Sequence, residues 1–426
     1  MPKSILLIAY NFPPLISPQS LRWFYLTREL RLMGHHIDVL TISMPERFTD
    51  MVDLIPKDIS LYRALPGPFY YLTYKYSREN KTKAPIDKDT SIDLWRYVYK
   101  LYLMTYSIGN YILIPDLHTE WLPNCYLKGA SLMKQNRYDI IISSSEPAVC
   151  HITAYLLKKR FGIRWIADYG DPWVYPVSAK RDSKVKNRLI KGLESILLRD
   201  MDCITVTTAG TKELYLKDYE FLSEDKIEVV PQGYSPDIFD KAPSNKNEGE
   251  FVLSYCGSFY NRLRDPTVLL QAIKELDLKG LKVKIAGRIN EFQAYLSEGP
   301  LARIVEYRGF IKHLEALSLE KDSTALLFIS NAVDTQVPGK LYEYIGAKRP
   351  ILCITDNMDD LSATLIRDTH RGIVVQHHKE QIKEAIVRLY DLWREGSLDR
   401  SFNLDELNEY TWYNSAKNIG EVIDKL

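Results

Sequence analysis

The stretch Ser4-Ile-Leu-Leu-Ile-Ala-Tyr10, the loop Asn11-Phe-Pro-Pro-Leu-Ile-Ser-Pro-Gln-Ser20, and the run from Trp23 to His36-Ile-Asp-Val-Leu-Thr-Ile42 decide the fold class. Ile5 to Ala9 is unbroken apolar sequence, as expected of a parallel strand buried on both faces. Trp23, Leu26, Leu30 and Met33 then recur at i, i+3, i+7 and i+10, one stripe of a helix that Gly34 ends. A strand, a helix and a second strand in that order imply a right-handed crossover and a parallel sheet.

Working outward, the alternation resumes with strands Tyr138 to Ser143 and Arg164 to Ala167, a helix from Lys184 to Arg199, and strands Cys203 to Thr207 and Ile227 to Val230. Residues 45–125 are less regular, and residues 231–250 read as a linker. A second series starts at Phe251-Val-Leu-Ser-Tyr-Cys256 and continues through strands Leu281 to Ala286, Ala325 to Ile329, Pro350 to Ile354 and Gly372 to Val375. The expectation is α/β architecture with two doubly wound, Rossmann-like domains facing across a cleft. Their boundaries are 1–235 and 236–405, followed by a terminal segment, 406–426.

The 426 residues carry 56 Lys and Arg against 55 Asp and Glu, so no global basic field exists to grip nucleic acid. Cys125, Cys150, Cys203, Cys256 and Cys353 are scattered singly, without metal-ligand spacing, and none of the 8 histidines forms a ligand pair. The opening strand lacks the basic flank and cleavage site of a signal peptide, and no spanning apolar run occurs. The reading is a cytoplasmic chain.

Several stretches together resemble the retaining, GT-B-fold glycosyltransferases of family 4 (group 1 type). These are Ile5 to Pro14 with Arg28-Glu-Leu-Arg-Leu-Met-Gly-His35, Val230-Pro-Gln-Gly-Tyr-Ser-Pro-Asp-Ile-Phe239, Tyr255-Cys-Gly-Ser258, and Pro338-Gly-Lys-Leu-Tyr-Glu-Tyr-Ile-Gly-Ala-Lys-Arg-Pro-Ile351. The resemblance covers the whole chain, ending at Tyr410-Thr-Trp412 and a tail helix that in the family crosses back to the first domain. It implies a nucleotide-sugar donor, UDP- or GDP-linked, on the second domain and a glycan or lipid-linked acceptor on the first. No other cofactor and no metal are expected, and the implied setting is cell-surface polysaccharide synthesis.

By that resemblance, Gly257 and Ser258 form the donor-phosphate loop, with Arg264 preferred over Arg262 as its cation. Gly339, Lys340 and Leu341 offer backbone N–H groups at a helix start, where anions bind without a metal. Glu343 holds the ribose. Gly309, Phe310 and Ile311 hold the nucleobase through backbone atoms. Family members carry an acid eight residues before the one at Glu343; here that position is Thr335, with Asp334 one residue early. Gln336 and Val337 flank the same loop and are the substitute backbone contacts, and Pro338 opens the donor-binding signature, with Thr335 beside it on the donor side.

The first domain departs as well. Asp168-Tyr-Gly-Asp-Pro-Trp173 stands where many members have a histidine and looks like the Asp-x-x-Asp-Pro-Trp variant of a subset. Asp168 is assigned as acid/base and Asp171 as a positioning residue, although Asp171 before Pro172 also fits a helix N-cap. Ser17, Gln19 and Ser20 replace the usual glycines of the first loop, and Glu146 follows another strand on the acceptor side.

Trp95, Val98, Tyr99, Tyr102 and Tyr106 share one helical face after the basic residues Lys75, Arg78, Lys81 and Lys83. A second basic run is Lys180, Arg181, Lys184, Lys186, Arg188 and Lys191. These fit peripheral contact with the cytoplasmic face of the inner membrane, and equally an internal helix with solvated charge. The alternatives to a transferase are a nucleotide-sugar epimerase of the same fold and a non-catalytic binding partner, the latter motivated by the missing acid. No glycine-rich dinucleotide fingerprint follows the first strand, which argues against a dehydrogenase.

Overall fold

The computed structural model describes residues 1–15, 17–43, 55–68, 113–174, 184–244, 249–260, 263–289, 292–296 and 299–426. The aromatic run from Trp95 to Tyr106, the basic residues 75–83, Lys180, Arg181 and Arg262 lie outside those residues.

The first sheet has seven parallel strands: β1 (Ser4–Ala9), β2 (His36–Ile42), β3 (Ser60–Ala64), β4 (Ile140–Ser145), β5 (Arg164–Tyr169), β6 (Cys203–Val206) and β7 (Ile227–Val229), in the order β3-β2-β1-β4-β5-β6-β7. The second has six: β8 (Phe251–Cys256), β9 (Leu281–Ala286), β10 (Val305–Gly309), β11 (Ala325–Ile329), β12 (Ile351–Thr355) and β13 (Gly372–Gln376), in the order β10-β9-β8-β11-β12-β13. Both are parallel throughout. Each therefore reverses its winding once, between β1 and β4 and between β8 and β11. In open α/β sheets ligands bind outside the strand ends at such a reversal. The loops after β1, β4, β8 and β11 are thus the places to look.

The apolar stripe read for the first helix understates its burial. In Pro18–Leu32, Trp23, Leu26 and Leu30 are buried, but so are Arg22, Thr27 and Glu29. The terminal helix Trp412–Lys425 packs against this helix, with Trp412 stacked on Tyr25 at 5.4 Å between ring centres. The helix is therefore covered on both sides.

Residues 231–250 are not a free linker over their described part. Tyr234 is buried, its N–H donates to the Tyr410 carbonyl at 2.9 Å, and Pro236–Lys241 is a short helix that buries Ile238 and Phe239. One apolar cluster consequently runs from Leu7 and Phe24 through Tyr234 and Phe239 to Phe328 and Ile345. At roughly 1.5–3 kcal/mol per fully buried large side chain, this cluster ties the two sheets into one body. All five cysteines are buried and free. No helix among the described residues is long and apolar enough to cross a membrane.

Candidate active site

Asp168 is the penultimate residue of β5, its side chain is fully buried, and every acceptor site on it is in use. Oδ1 accepts from Arg22 Nη2 at 2.8 Å and Thr205 Oγ1 at 2.8 Å. Oδ2 accepts from Arg22 Nε at 3.1 Å, Trp23 Nε1 at 2.9 Å and Gln19 Nε2 at 3.0 Å. Arg22, equally buried, also donates to the carbonyls of Val230 and Pro231 at 3.0 and 3.1 Å. A carboxylate sealed from solvent by five donors has no lone pair to offer an incoming hydroxyl. The acid/base assignment of Asp168 is therefore corrected: it fastens the first helix to β5, β6 and the interdomain crossing.

The same contacts revise the first loop. Gln19 is held inside by Asp168 and by Ser144 Oγ at 2.7 Å, so its amide does not reach a phosphate. Ser17 caps the first helix, its oxygen accepting from the Ser20 N–H at 3.1 Å, and Ser20 is buried behind it. Glu146 stays exposed beyond β4, where its backbone carbonyl accepts from Asn11 Nδ2 at 2.9 Å.

Asp171, three residues past Asp168, faces the second domain instead. Its Oδ1 accepts from Gln336 Nε2 at 2.6 Å. Gln336 Oε1 accepts from Asn331 Nδ2 at 2.8 Å, and Asn331 Oδ1 from Arg264 Nε at 2.8 Å. A continuous polar chain thus crosses the cleft from carboxylate to guanidinium. Burial raises the Asp171 carboxyl above the ordinary range, partly offset by the Gln336 hydrogen bond. Asp171 is not an N-cap in the structure, since no helix begins at Pro172.

Beside this chain the domains touch backbone to side chain. The Thr335 carbonyl accepts from Thr208 Oγ1 at 2.9 Å and Thr211 Oγ1 at 2.7 Å. Gly210 lies between those threonines, and a Cβ there would fall 1.8 Å from the Asp334 carbonyl oxygen, so only glycine permits the approach. Thr335, at the position of the missing acid, is fixed by the first domain through its main chain.

On the second domain the loop after β8 turns at Gly257, whose φ of 150° is outside the range of ordinary side chains. The helix Gly339–Gly346 starts against this loop with no side-chain cap, which leaves the N–H groups of Gly339 and Lys340 to an anion; that of Leu341, expected to join them, instead donates to the Pro338 carbonyl at 2.9 Å. Tyr344 of the helix pins the end of β8, its hydroxyl accepting from the Cys256 N–H at 2.8 Å. Lys340 reaches under the loop: its Nζ lies 4.0 Å from the Tyr255 ring centre and 5.1 Å from that of Phe328. A Cβ on Gly257 would stand 3.3 Å from the same nitrogen. This amine is enclosed and has no hydrogen-bond partner among the described residues. Burial pushes it well below the usual lysine range, and the nearby charge of Arg264 pushes the same way. A guanidinium, and an amine that an incoming anion would recharge, therefore converge beside one glycine loop and one helix N-terminus.

Glu343, one turn further on, is half-buried, with its carboxyl raised by burial and 3.8 Å from His313 Nε2. That nitrogen is 2.9 Å from the Tyr25 hydroxyl of the first domain. Glu320 is fully buried, one of its oxygens without a partner among the described residues, and its carboxyl is held well above the usual range by burial and by Glu343. At the rim, Gly309 turns with φ of 66° and leaves the Phe310 ring 71% exposed, with Ile311 half-buried behind it. Val337 and Pro338 are buried, and Ser258 accepts through its carbonyl from the Tyr255 hydroxyl at 3.2 Å.

The structure thus gathers Gly257, Ser258, Arg264, Gln336, Gly339, Lys340 and Asp171 about one cleft, and takes Asp168, Gln19 and Ser17 out of it. Sequence reasoning missed Arg22, Asn331, His313 and Tyr25. Arg22 alone left a signal, a cation beside the apolar stripe of a helix that had to be buried. Among the described residues no group of three or more His, Cys, Asp or Glu side chains is arranged to hold a metal ion.

Comparison with known proteins bears on this arrangement in two ways. Residues 105–238 match the family described as Glycosyltransferase Family 4. The fold is GT-B, as the resemblance implied, and recurs in solved structures of low identity. A sucrose-phosphate synthase from Thermosynechococcus elongatus is similar with a TM-score of 0.66 at 15% identity, over 99% of this chain and 98% of that one. WaaG, a glycosyltransferase involved in lipopolysaccharide biosynthesis, aligns with a TM-score of 0.60 at 14% identity, over 97% and 99%. The UDP-GlcNAc 2-epimerase from Neisseria meningitidis, bound to UDP-GlcNAc, aligns at 0.58 and 13%, over 100% of both chains. Sequence comparison with curated proteins finds no match.

Proposed function

We propose that this chain is a retaining glycosyltransferase that moves a sugar from a nucleotide diphosphate to a glycan or lipid-linked acceptor in cell-surface polysaccharide synthesis, on the cytoplasmic side. The observation that carries the reading is the convergence of Arg264, Lys340 and the uncapped start of Gly339–Gly346 on the Gly257 loop, opposite Asp171. The Family 4 match supports it from the sequence side.

The diphosphate lies along Gly257–Ser258, where backbone N–H groups, Arg264 and Lys340 neutralise the negative charge that grows as the glycosidic bond breaks. These protein cations fill the role a divalent metal has in other transferases, so transfer proceeds without one. Glu343 accepts the ribose hydroxyls, and the base seats against Gly309–Ile311, with the exposed Phe310 ring as its platform. The loop from Thr335 to Val337 presents main-chain atoms to the transferred sugar in place of the absent acid. Asp171 receives the acceptor hydroxyl and orients it toward the anomeric carbon. Gln336 keeps that carboxylate in register with the donor through Asn331 and Arg264.

Product analysis separates this from the epimerase reading. The expected result is release of nucleoside diphosphate that depends on added acceptor, with the anomeric configuration of the donor kept in the product. A new nucleotide-sugar isomer formed from donor alone would overturn it in favour of epimerisation. Tight nucleotide binding with no transfer across a broad panel of donors and acceptors would leave a binding partner only.

A further inference from the structure

Tyr25, on the first-domain helix Pro18–Leu32, and His313, at the start of the second-domain helix His313–Asp322, meet across the domain boundary. The Tyr25 hydroxyl is hydrogen-bonded to His313 Nε2 at 2.9 Å, and the same nitrogen stands 3.8 Å from Glu343 Oε1. The Glu343 side chain is 21% exposed and the His313 side chain 8%. The carboxylate therefore keeps an open face for a ligand, while the imidazole is nearly enclosed.

The imidazole is held from two sides. Its helix starts with the Lys312 N–H donating to Glu315 Oε2 at 3.4 Å, which fixes the first turn. Tyr25 is buried, and its ring is stacked on Trp412 of the terminal helix, so the hydroxyl has little room to move. Among the described residues His313 is the one basic side chain within pairing distance of the Glu343 carboxyl. Burial raises that carboxyl, and the charge of His313 works against the rise. A carboxyl group accepts at both oxygens only when ionised, and His313 is the side chain that favours the ionised form.

We propose that His313 is the positioning residue of the ribose site: it aims the Glu343 carboxylate at the ribose hydroxyls, and Tyr25 of the first domain fixes its own aim. With its proton on Nε2, the ring donates to the Tyr25 oxygen and shows the same N–H edge to Glu343. At 3.8 Å that second contact is longer than a hydrogen bond, so it acts through charge and orientation. A contact that only fastened the domains would need Tyr25 and His313 alone. The approach of Glu343 to the shared nitrogen makes a first-domain hydroxyl part of how the second domain tells ribose from deoxyribose. One premise rests on the proposed function, that Glu343 holds the ribose.

Calorimetric binding of the full chain to UDP and GDP, each beside its 2′-deoxy and 3′-deoxy analogues, tests this. The readout is the ratio of affinities, ribose form over deoxy form. For wild type that ratio is expected to be roughly ten-fold or more for at least one hydroxyl, the loss of a hydrogen bond to a charged group. His313→Ala should bring it to within about three-fold of unity, and His313→Gln, which keeps an N–H donor, should recover part of it. Tyr25→Phe keeps the stacked ring and should lower the ratio, with no further loss when combined with His313→Ala. Melting temperatures report on folding alongside. A His313→Ala protein that melts lower but keeps the wild-type ratio makes the contact a domain fastener and overturns the inference. So does an unchanged ratio in Tyr25→Phe, which loses a single oxygen and carries the test if His313→Ala does not fold. A wild type that binds the diphosphates without discriminating ribose from deoxyribose overturns it together with the role of Glu343, and leaves the phosphate site standing. A wild type that binds neither UDP nor GDP overturns the proposed function itself, and this inference with it.

Discussion

Replacing Asp168 with alanine is expected to destabilise the first domain by about 3–5 kcal/mol, the range seen when one partner of a buried ion pair is removed. Arg22 would be left fully buried with a charge that only two carbonyls answer, and Gln19, Trp23 and Thr205 would each lose an acceptor. Asp168→Asn should recover part of the loss, because it keeps acceptor capacity for some of these donors without the countercharge. Urea unfolding monitored by tryptophan fluorescence measures this as a fall in midpoint at unchanged slope. An Asp168→Ala protein as stable as wild type but inactive would return Asp168 to the chemistry.

Lys340→Met is expected to weaken binding of a nucleoside diphosphate by roughly 10- to 100-fold, the loss of one charge-assisted hydrogen bond of about 1.5–3 kcal/mol. It should also abolish a proton linkage. Burial and Arg264 depress the Lys340 ammonium in the free protein, so between that depressed value and the ordinary lysine value near ~10.4 the amine is largely neutral. A diphosphate at the Gly257 loop restores the charge, and the complex takes up a proton. Calorimetric titration in buffers of different ionisation enthalpy should show uptake for wild type and none from this site for Lys340→Met. The same depression makes the unfolded chain bind the extra proton. Stability therefore rises with pH across that window in wild type, and the variant lacks this rise. A variant that binds as wild type does, with the same proton uptake, would remove the side chain from the site.

How much of this was legible in the sequence follows from where the information sits. Phe251–Cys256 and Ala325–Ile329 are central strands marked by their apolar runs, and Leu281–Ala286 by apolar residues alternating with Lys282 and Lys284; the structure places all three at those residues. Ser60–Ala64 and Val305–Gly309 were not foreseen. Both are edge strands paired on one side, half exposed, and Arg63, Glu306 and Arg308 interrupt any apolar run. The segment after Val230 reads as a linker because Pro, Gly and Ser dominate it. Tyr234, Ile238 and Phe239 are buried only because the terminal helix folds back over them.

The site divides along the same line. Gly257 and the start of Gly339–Gly346 are local features, a glycine after a strand and the first turn of a helix. Asp168 and Asp171 look interchangeable along the chain, and their roles part only through residues about 150 positions away: Arg22, Trp23 and Gln19 for one, Gln336 for the other. The sequence marks Lys340 only for its backbone N–H, since nothing near it along the chain shows that Tyr255 and Phe328 enclose its amine. Polar networks assembled from distant segments are the part that one-dimensional pattern does not carry.

The central claim is that the second domain holds a nucleotide sugar at the Gly257 loop. The measurement that tests it most directly is thermal unfolding of the wild-type chain against UDP- and GDP-sugars. A ligand that binds only the folded state at about 100 times its Kd stabilises by about 2.7 kcal/mol, a rise of several degrees. The expected result is such a rise with at least one nucleotide sugar and with its nucleoside diphosphate, reduced in Lys340→Met. An unchanged melting temperature with every nucleotide sugar at millimolar concentration would contradict the assignment.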